Sequence, residues 1–181
     1  MPRVKTETDH QSKASRSGNA FQREIYKMIL DQVKDPNLSV NQPSTTIVKA
    51  GKKKRKGKQF PCLLIHTPIA SFIGDTDIVV FNKRKQVPAV IISCKTSIRE
   101  RIAQALYSAR LYRAQHGENL PFYLVTRDPG LEFGSEQKPK KALVMVWHER
   151  ISVYTMNPRT VTGGPIRPID QLIPDIHLVT G

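Results

Sequence analysis

Cysteine is scarce in this sequence, and its two residues, Cys62 and Cys94, each lie inside an apolar run. Neither has a second cysteine or a histidine at ligand spacing, which argues against a zinc site and against a disulfide framework. The sequence also lacks an apolar run near the roughly 20 residues that cross a bilayer, and its N-terminus has no signal-peptide core. We therefore expect free thiols in a cytoplasmic protein.

Acidic residues are in short supply as well. The 181 residues include 15 Asp and Glu against 29 Lys and Arg, which leaves a net charge of +14. Such an excess predicts a polyanionic partner, and nucleic acid is the commonest one for a soluble protein. A ribosomal or chromatin-like protein would carry the same charge, so the charge alone does not separate an enzyme from a binding protein.

Two apolar, β-branched runs, residues 74–81 and 87–95, are joined by a short basic turn in the middle of the chain. Their nearly continuous hydrophobicity predicts a β-hairpin that is buried on both faces. Side chains alternate along a strand, so Asp75 and Asp77 share one face of the first strand, while Ser93 and Lys95 share one face of the second. Because an unpaired lysine in an apolar strand costs free energy, we expect Lys95 beside a carboxylate.

The N-terminal part of the chain is predicted to contain a tail and a helix. Residues 1–18 are polar and unpatterned, and we expect a flexible tail before a single domain of residues 19–181. Apolar residues at helical spacing predict a helix from Asn19 that ends before Pro36. Glu24 lies at the edge of its buried stripe, where it is either solvated or turned inward toward a site.

The other predicted elements define the fold class. Strands are predicted at residues 45–50 and 60–67, a helix between Ser97 and Gly117, a strand at residues 121–126, and an appended C-terminal hairpin from residues 142–147 and 151–156. A strand, a helix and a strand in succession require a parallel pair. The expected fold is α/β, with a mixed central sheet flanked by helices.

A run of basic residues between the first two predicted strands is bracketed by glycines. It includes Lys53, Lys54 and Arg55. Charge runs are often solvated loops, but a loop of this kind in so basic a protein also suits DNA phosphates. We expect it to clamp the DNA backbone.

The aspartates of one strand and Ser93-x-Lys95 on the next resemble the PD-(D/E)xK nuclease superfamily, in the Ser-x-Lys variant of some type II restriction endonucleases. The resemblance covers about residues 19–126, including the αβββαβ element order. It implies Mg²⁺-dependent hydrolysis of phosphodiester bonds in double-stranded DNA, with carboxylates on the metal and a lysine that stabilises charge. By this resemblance Asp77 binds the metal together with the backbone carbonyl of Cys94, Lys95 is catalytic, and Ser93 takes the position of a second acid.

The sequence departs from that pattern at the metal ligands. No proline precedes Asp77, and Asp75 points the same way, so either could be the ligand; Asp77 is preferred because an apolar strand follows it directly. Ser93 cannot replace a carboxylate. The helix position that holds the missing acid in such relatives is Ser-Ala here, at residues 108–109. Glu24 is the expected substitute, in the place of a first-helix glutamate, and Asp75 is the next.

Residues 95–101 resemble the segment after the catalytic lysine in restriction enzymes that read CC/GG. There a basic-acidic-Arg trio contacts base edges, which implies that Arg99, Glu100 and Arg101, with Gln104 beside them, bind DNA. Arginine can bond guanine O6 and N7, and glutamate can accept from cytosine N4. The alternative is a capping box, Ser97-x-x-Glu100, with both arginines on the surface.

The sequence therefore predicts a Mg²⁺-dependent type II restriction endonuclease. We expect a homodimer, because each active site cuts one strand of a symmetric sequence, and a cognate DNA methyltransferase that protects the host site. One alternative is a structure-specific nuclease similar to Holliday-junction resolvases. The other is a non-catalytic basic DNA-binding protein whose Asp/Lys pair is a structural salt bridge.

Overall fold

The structure is a computed structural model, and it describes residues 7–43, 48–49, 61–66, 70–135 and 137–181. The basic loop with Lys53, Lys54 and Arg55 lies outside the described residues. In chain order the helices and strands are α1 (Glu7–Gln32), β1 (Leu38–Asn41), β2 (Val48–Lys49), β3 (Leu64–His66), β4 (Ala70–Ile73), β5 (Ile78–Asn82), β6 (Val87–Lys95), α2 (Ile102–His116), β7 (Phe122–Thr126), α3 (Lys141–His148), β8 (Ser152–Thr155), β9 (Ile166–Pro168) and α4 (Leu172–Thr180).

Six strands form the main sheet in the order β1-β5-β6-β7-β8-β9. β1, β5 and β6 are antiparallel, whereas β6, β7, β8 and β9 are parallel. This confirms the predicted mixed sheet and the predicted parallel pair across α2. The succession α1, β1, β5, β6, α2, β7 has the αβββαβ order.

Helices cover both faces of this sheet. On one face α2 and α3 pack through Ile102, Ala105 and Leu143, and on the other α1 and α4 pack through Phe21 and Leu172. A sheet buried on both faces explains why β5 and β6 are apolar at nearly every position.

The first strands of the chain differ from the prediction. β1 lies before the predicted strand at residues 45–50, in a segment rich in Pro, Ser and Asn where no strand was predicted. Within that predicted strand, β2 belongs to a second, three-stranded sheet in the order β2-β4-β3. Of the predicted strand at residues 60–67, the structure describes residues 61–66, which form a 3-10 turn, Pro61–Leu63, followed by β3. Turn residues and short apolar runs do not show which sheet a strand joins, because pairing is decided by distant segments.

Helix α1 begins at Glu7, earlier than the predicted start at Asn19. Residues 7–18 therefore continue the helix, in the segment that the sequence analysis assigned to a flexible tail without secondary structure. The segment is rich in Ser and also contains Thr, Asp and Gly, which are weak helix formers, so its composition did not predict a helix. A helix that has begun can nevertheless extend beyond the stretch that packs on the core, because elongation is easier than nucleation.

The predicted C-terminal hairpin is wrong. Residues 142–147 lie in α3, and β8 pairs in parallel with β7. A short apolar run fits a strand and a buried helix equally well. Here Leu143 and Val146, three residues apart, face the core while Val144 and Trp147 are exposed. Parallel strands need a crossover connection, which is usually a helix, so the parallel pairing of β7 and β8 favours a helix between them.

Both cysteines are free thiols, with Cys94 buried and Cys62 partly buried. Among the described helices, none is long and apolar enough to cross a membrane.

Candidate active site

The hairpin of β5 and β6 brings two polar segments together at one end of the sheet. Asp77 directly precedes β5, and its backbone N–H donates to the carbonyl of Ile92 at 2.9 Å. Because the strands are antiparallel, the start of β5 lies beside the end of β6, where Ser93 and Lys95 are found. The strand register therefore places these side chains within reach of the aspartates.

Lys95 forms ion pairs with both aspartates. Its Nζ lies 2.6 Å from Asp75 Oδ1 and 3.2 Å from Asp77 Oδ2. The exposed fractions of the side chains are 8% for Lys95, 9% for Asp75 and 14% for Asp77. The lysine therefore lies beside a carboxylate, as its position in an apolar strand predicts, and the three charges are largely shielded from water.

Further hydrogen bonds hold the two carboxylates. Ser93 Oγ donates to Asp75 Oδ2 at 2.9 Å, and the backbone N–H of Cys94 donates to Asp77 Oδ2 at 2.6 Å. On the other side of Asp77, Gln22 Nε2 donates to Oδ1 at 2.5 Å. Ser93 thus orients an acid, and the acid that it orients is Asp75.

Burial and charge act in opposite directions on this group. Burial raises the pKa of the Asp77 carboxyl above its ordinary value, against the attraction of the Lys95 ammonium. Burial also acts to lower the pKa of Lys95, but the two aspartates outweigh it and the lysine pKa is raised. Lys95 is therefore a fixed ammonium at neutral pH, which suits charge stabilisation better than proton abstraction.

The donor set at this end of the sheet fits a hard divalent cation. Asp75, Asp77 and the carbonyl of Cys94 offer only oxygen, and Mg²⁺ is commonly held by one or two carboxylates with water and substrate phosphate completing its shell. The described residues contain no group of three Asp, Glu, His or Cys side chains that would form an all-protein site. Asp77 also faces an open cleft of about 600 Å³, which leaves room for substrate and water.

Glu24 does not join this cluster. Its Oε2 accepts a hydrogen bond from Arg127 Nη2 at 2.8 Å, in an exposed ion pair beyond the end of β7. Residues two positions apart on a helix point to different sides, so α1 cannot turn both Gln22 and Glu24 toward Asp77. The expectation that Glu24 lies beside Asp77 is therefore not met by this geometry, and Asp75 is the carboxylate that shares Lys95 with Asp77.

Three further residues support the site: Gln22 and Tyr112, which the sequence did not single out, and Ser108, which it noted only as a departure from the expected acid. Gln22 holds Asp77, as described above. From α2, Ser108 Oγ accepts the backbone N–H of Asp75 at 2.8 Å, and Tyr112 OH accepts from Thr76 Oγ1 at 2.7 Å. The resemblance marked the position of Ser108 in the sequence, but the helical pattern shows only which side chains are buried and not which hydrogen bonds they make.

The predicted recognition residues lie at the start of α2. Arg99–Arg101 form a 3-10 turn before the helix, Arg101 and Gln104 are exposed, and Arg99 Nε lies 3.0 Å from Glu132 Oε1. The side chain of Glu100 is outside what the structure describes.

The capping-box alternative for the same segment is not supported. The N-cap of the 3-10 turn is Ile98, not Ser97, and α2 is capped by Arg101. Neither of these caps makes a side-chain capping hydrogen bond.

Two aspartates and a lysine at adjoining strand ends, in a mixed sheet of αβββαβ order, define the PD-(D/E)xK class of nucleases. The chain belongs to the BsaWI restriction endonuclease type 2 family, whose sequence model matches residues 62–174. The matched segment contains both aspartates, Lys95 and the start of α2. This confirms the predicted resemblance to type II restriction endonucleases.

A solved structure has the same fold. The restriction endonuclease PspGI, in its complex with substrate DNA, matches with a TM-score of 0.66 and 16% sequence identity. The match covers 96% of this chain, and this chain spans 65% of the length of that one. No curated protein sequence matches this chain significantly.

Proposed function

We propose that this protein is a type II restriction endonuclease that hydrolyses both strands of duplex DNA with Mg²⁺ as its cofactor. The observation that carries the proposal is the Lys95 ammonium between the Asp75 and Asp77 carboxylates, beside an open cleft. Family membership supports the same activity, and the net charge of +14 suits a DNA substrate.

Each residue of the site has a role in this reaction. Asp75, Asp77 and the carbonyl of Cys94 would hold Mg²⁺, which when bound polarises the phosphate and lowers the pKa of water. Lys95 stabilises the negative charge that develops on the phosphate, in a partly dry site where a fixed charge acts strongly. Ser93, through its bond to Asp75, keeps a carboxylate oriented without itself contacting the substrate.

Sequence recognition is proposed for the start of α2. Arg99, Glu100, Arg101 and Gln104 begin four residues after Lys95, in the 3-10 turn and the first part of α2, and this short separation in the chain supports a role beside the active site. The CC/GG preference rests on their resemblance to enzymes that read this step. Lys53, Lys54 and Arg55 are proposed to bind phosphates, and a cognate methyltransferase is proposed to protect the host site.

Digestion of a plasmid with Mg²⁺, followed by sequencing of the ends, tests the function. We expect discrete fragments that share one sequence at every cut, and no fragments with EDTA. Cleavage of branched DNA alone would select a structure-specific nuclease. No metal-dependent cleavage of any DNA would leave a basic binding protein whose Asp/Lys group is structural.

A homodimer is part of the proposal, and the exposed surface of α2 and α3 suits its interface. Tyr107, Val144 and Trp147 are 61%, 55% and 54% exposed. Two adjoining concavities of about 500 and 420 Å³ share Val144 and His148. Large apolar side chains clustered on one surface mark protein contacts, and a two-fold dimer uses the same patch on both copies.

A pair of valines offers a matched test of this interface. Val144 lies on the patch, and Val161, 53% exposed, lies outside the residues that line the two concavities. In light scattering we expect a dimer for the wild type and for Val161→Glu, and a monomer for Val144→Glu. A dimer in all three proteins would place the interface elsewhere.

A further inference from the structure

The cleft beside Asp77 has a second wall that the catalytic residues do not account for. It lies between α1 and the segment that leads into β5, and its volume is about 600 Å³. Most of its lining groups are polar side chains rather than apolar ones: Asn19, Gln22, Arg23, Gln42, Thr76 and Asp77. Such a lining suits a polar ligand that carries several hydrogen-bond acceptors.

Gln22 is already engaged with Asp77, so the remaining wall residues on this side are Asn19, Arg23 and Gln42. Arg23 is exposed, and its Nε–H donates to the backbone carbonyl of Asn19 at 3.1 Å, which lays the guanidinium along the helix. A guanidinium has five N–H donors, and this bond uses one of them. Two side-chain amides and an arginine together are a donor set for an anion with several oxygens.

The same side of α1 continues away from the active site. Arg16, Asn19 and Arg23 are spaced three and four residues apart, so they lie along one side of the helix, and all three are exposed. A ligand that enters the cleft at Asp77 would therefore meet further basic and amide groups as it runs along α1. An extended polyanion fits this arrangement better than a small anion does.

We propose that Arg23, with Asn19 and Gln42, binds the DNA backbone next to the scissile phosphate, on the α1 side of the active site. The inference rests on the proposed nuclease function, which places the scissile phosphate at Asp77. Arginine and amide side chains commonly position a duplex through its phosphates, without reading its sequence. This surface therefore contributes affinity and register, while the start of α2 faces the bases.

A charge-matched pair of variants tests the proposal. Arg23→Gln removes one positive charge inside the cleft, and Lys34→Gln removes one just beyond the C-terminal end of α1, where its Nζ donates to the carbonyl of Leu30. Binding to a duplex that carries the cleavage site is measured by fluorescence anisotropy in EDTA, at several salt concentrations. Thermal melts establish that both variants fold.

For Arg23→Gln we expect the slope of log K against log salt to fall by about 0.9, the value for one lost phosphate contact. Between roughly 50 and 200 mM salt, the affinity of both proteins falls, and the factor by which it falls would be about 3.5 times smaller for this variant than for the wild type. Lys34→Gln should keep the wild-type slope. Equal slopes for the two variants would overturn the proposal.

A scan with methylphosphonates, each of which neutralises one phosphate, locates the contact. In the wild type and in Lys34→Gln, neutralising one phosphate beside the cut should weaken binding, whereas in Arg23→Gln the same change should cost nothing further. Coupling only at a phosphate remote from the cut would refute the assignment. If the wild type cleaves no DNA, the proposed function fails. If the wild type cleaves DNA and Arg23→Gln binds the duplex with the wild-type affinity and salt slope, only this inference fails.

Discussion

Lys95 Nζ lies closer to Asp75 Oδ1, at 2.6 Å, than to Asp77 Oδ2, at 3.2 Å. The aspartate that the sequence ranks behind both Asp77 and Glu24 therefore makes the shorter ion pair with the lysine. Asp75 is also the carboxylate that Ser93 and the backbone bond to Ser108 hold in place. These contacts make Asp75 an integral part of the site.

Asp77→Ala and Lys95→Ala are each expected to abolish cleavage while duplex binding survives. Both residues act on the scissile phosphate, and removal of one electrostatic stabiliser commonly costs about 100- to 1000-fold in rate. Single-turnover cleavage and anisotropy measure the two effects separately. Since breaking a buried ion pair costs about 3–5 kcal/mol of stability, the melting temperature must be followed in parallel. Near wild-type rates for either variant would refute the assignment.

Asp75→Asn should impair cleavage more than Glu24→Gln. This order reverses the one expected from the sequence, because the structure places Asp75 against Lys95 and pairs Glu24 with Arg127 on the surface. An exposed ion pair contributes about 0–1 kcal/mol, so Glu24→Gln should also melt almost normally. Single-turnover rates in Mg²⁺ decide the order. A greater loss of cleavage rate in Glu24→Gln would instead indicate that Glu24 of α1 is the second carboxylate of the site.

Arg101→Ala should cost about 1–3 kcal/mol of discrimination at one base pair while non-specific binding is largely retained. The physical reason is the loss of a bidentate contact to guanine, which a phosphate contact does not replace. The measurement is the ratio of cleavage rates on the cognate site and on sites with single substitutions. A cognate site without a CC or GG step would refute the recognition proposal and leave the nuclease assignment intact.

Glu100→Ala provides a companion test. Loss of a base contact would relax specificity in a protein that melts normally. Loss of a helix cap would instead lower stability by about 0.5–2 kcal/mol without a change of preference. Because the N-cap residues of this segment are Ile98 and Arg101, we expect the first result.

The stability of the site should depend on alkaline pH through Lys95. The aspartates raise the pKa of Lys95 above its ordinary value of 10.5 in the folded protein. Its contribution to the free energy of unfolding is therefore complete below pH 10.5 and is lost as the pH rises through the pKa of the folded state. Between the two values the free energy of unfolding should fall by about 1.4 kcal/mol per pH unit from this group. Urea unfolding of the wild type and of Lys95→Met across this range isolates the effect. Parallel curves for the two proteins would contradict it.

The sequence by itself determined the hairpin and the chemistry at its end. Apolar runs of β5 and β6 require burial on both faces, and the two-residue period of β6 aligns Lys95 with Ser93. Asp75 and Asp77 lie in bends just before β5, so their alignment was not set by the strand period. The motif and the net charge were sufficient to indicate the nuclease family. These features depend on short-range geometry, which a sequence pattern records directly.

Tertiary structure alone decided which other residues reach the site. The amphipathic pattern of α1 shows which residues face the core, but the rotation and position of the packed helix decide that Gln22, and not Glu24, meets Asp77. The support from α2 and the helical state of residues 142–147 likewise depend on neighbours distant in the chain. Hydrogen-bond partners and crossover connections depend on the relative position and rotation of helices and strands that are distant in the chain. Local periodicity in the sequence does not contain this information.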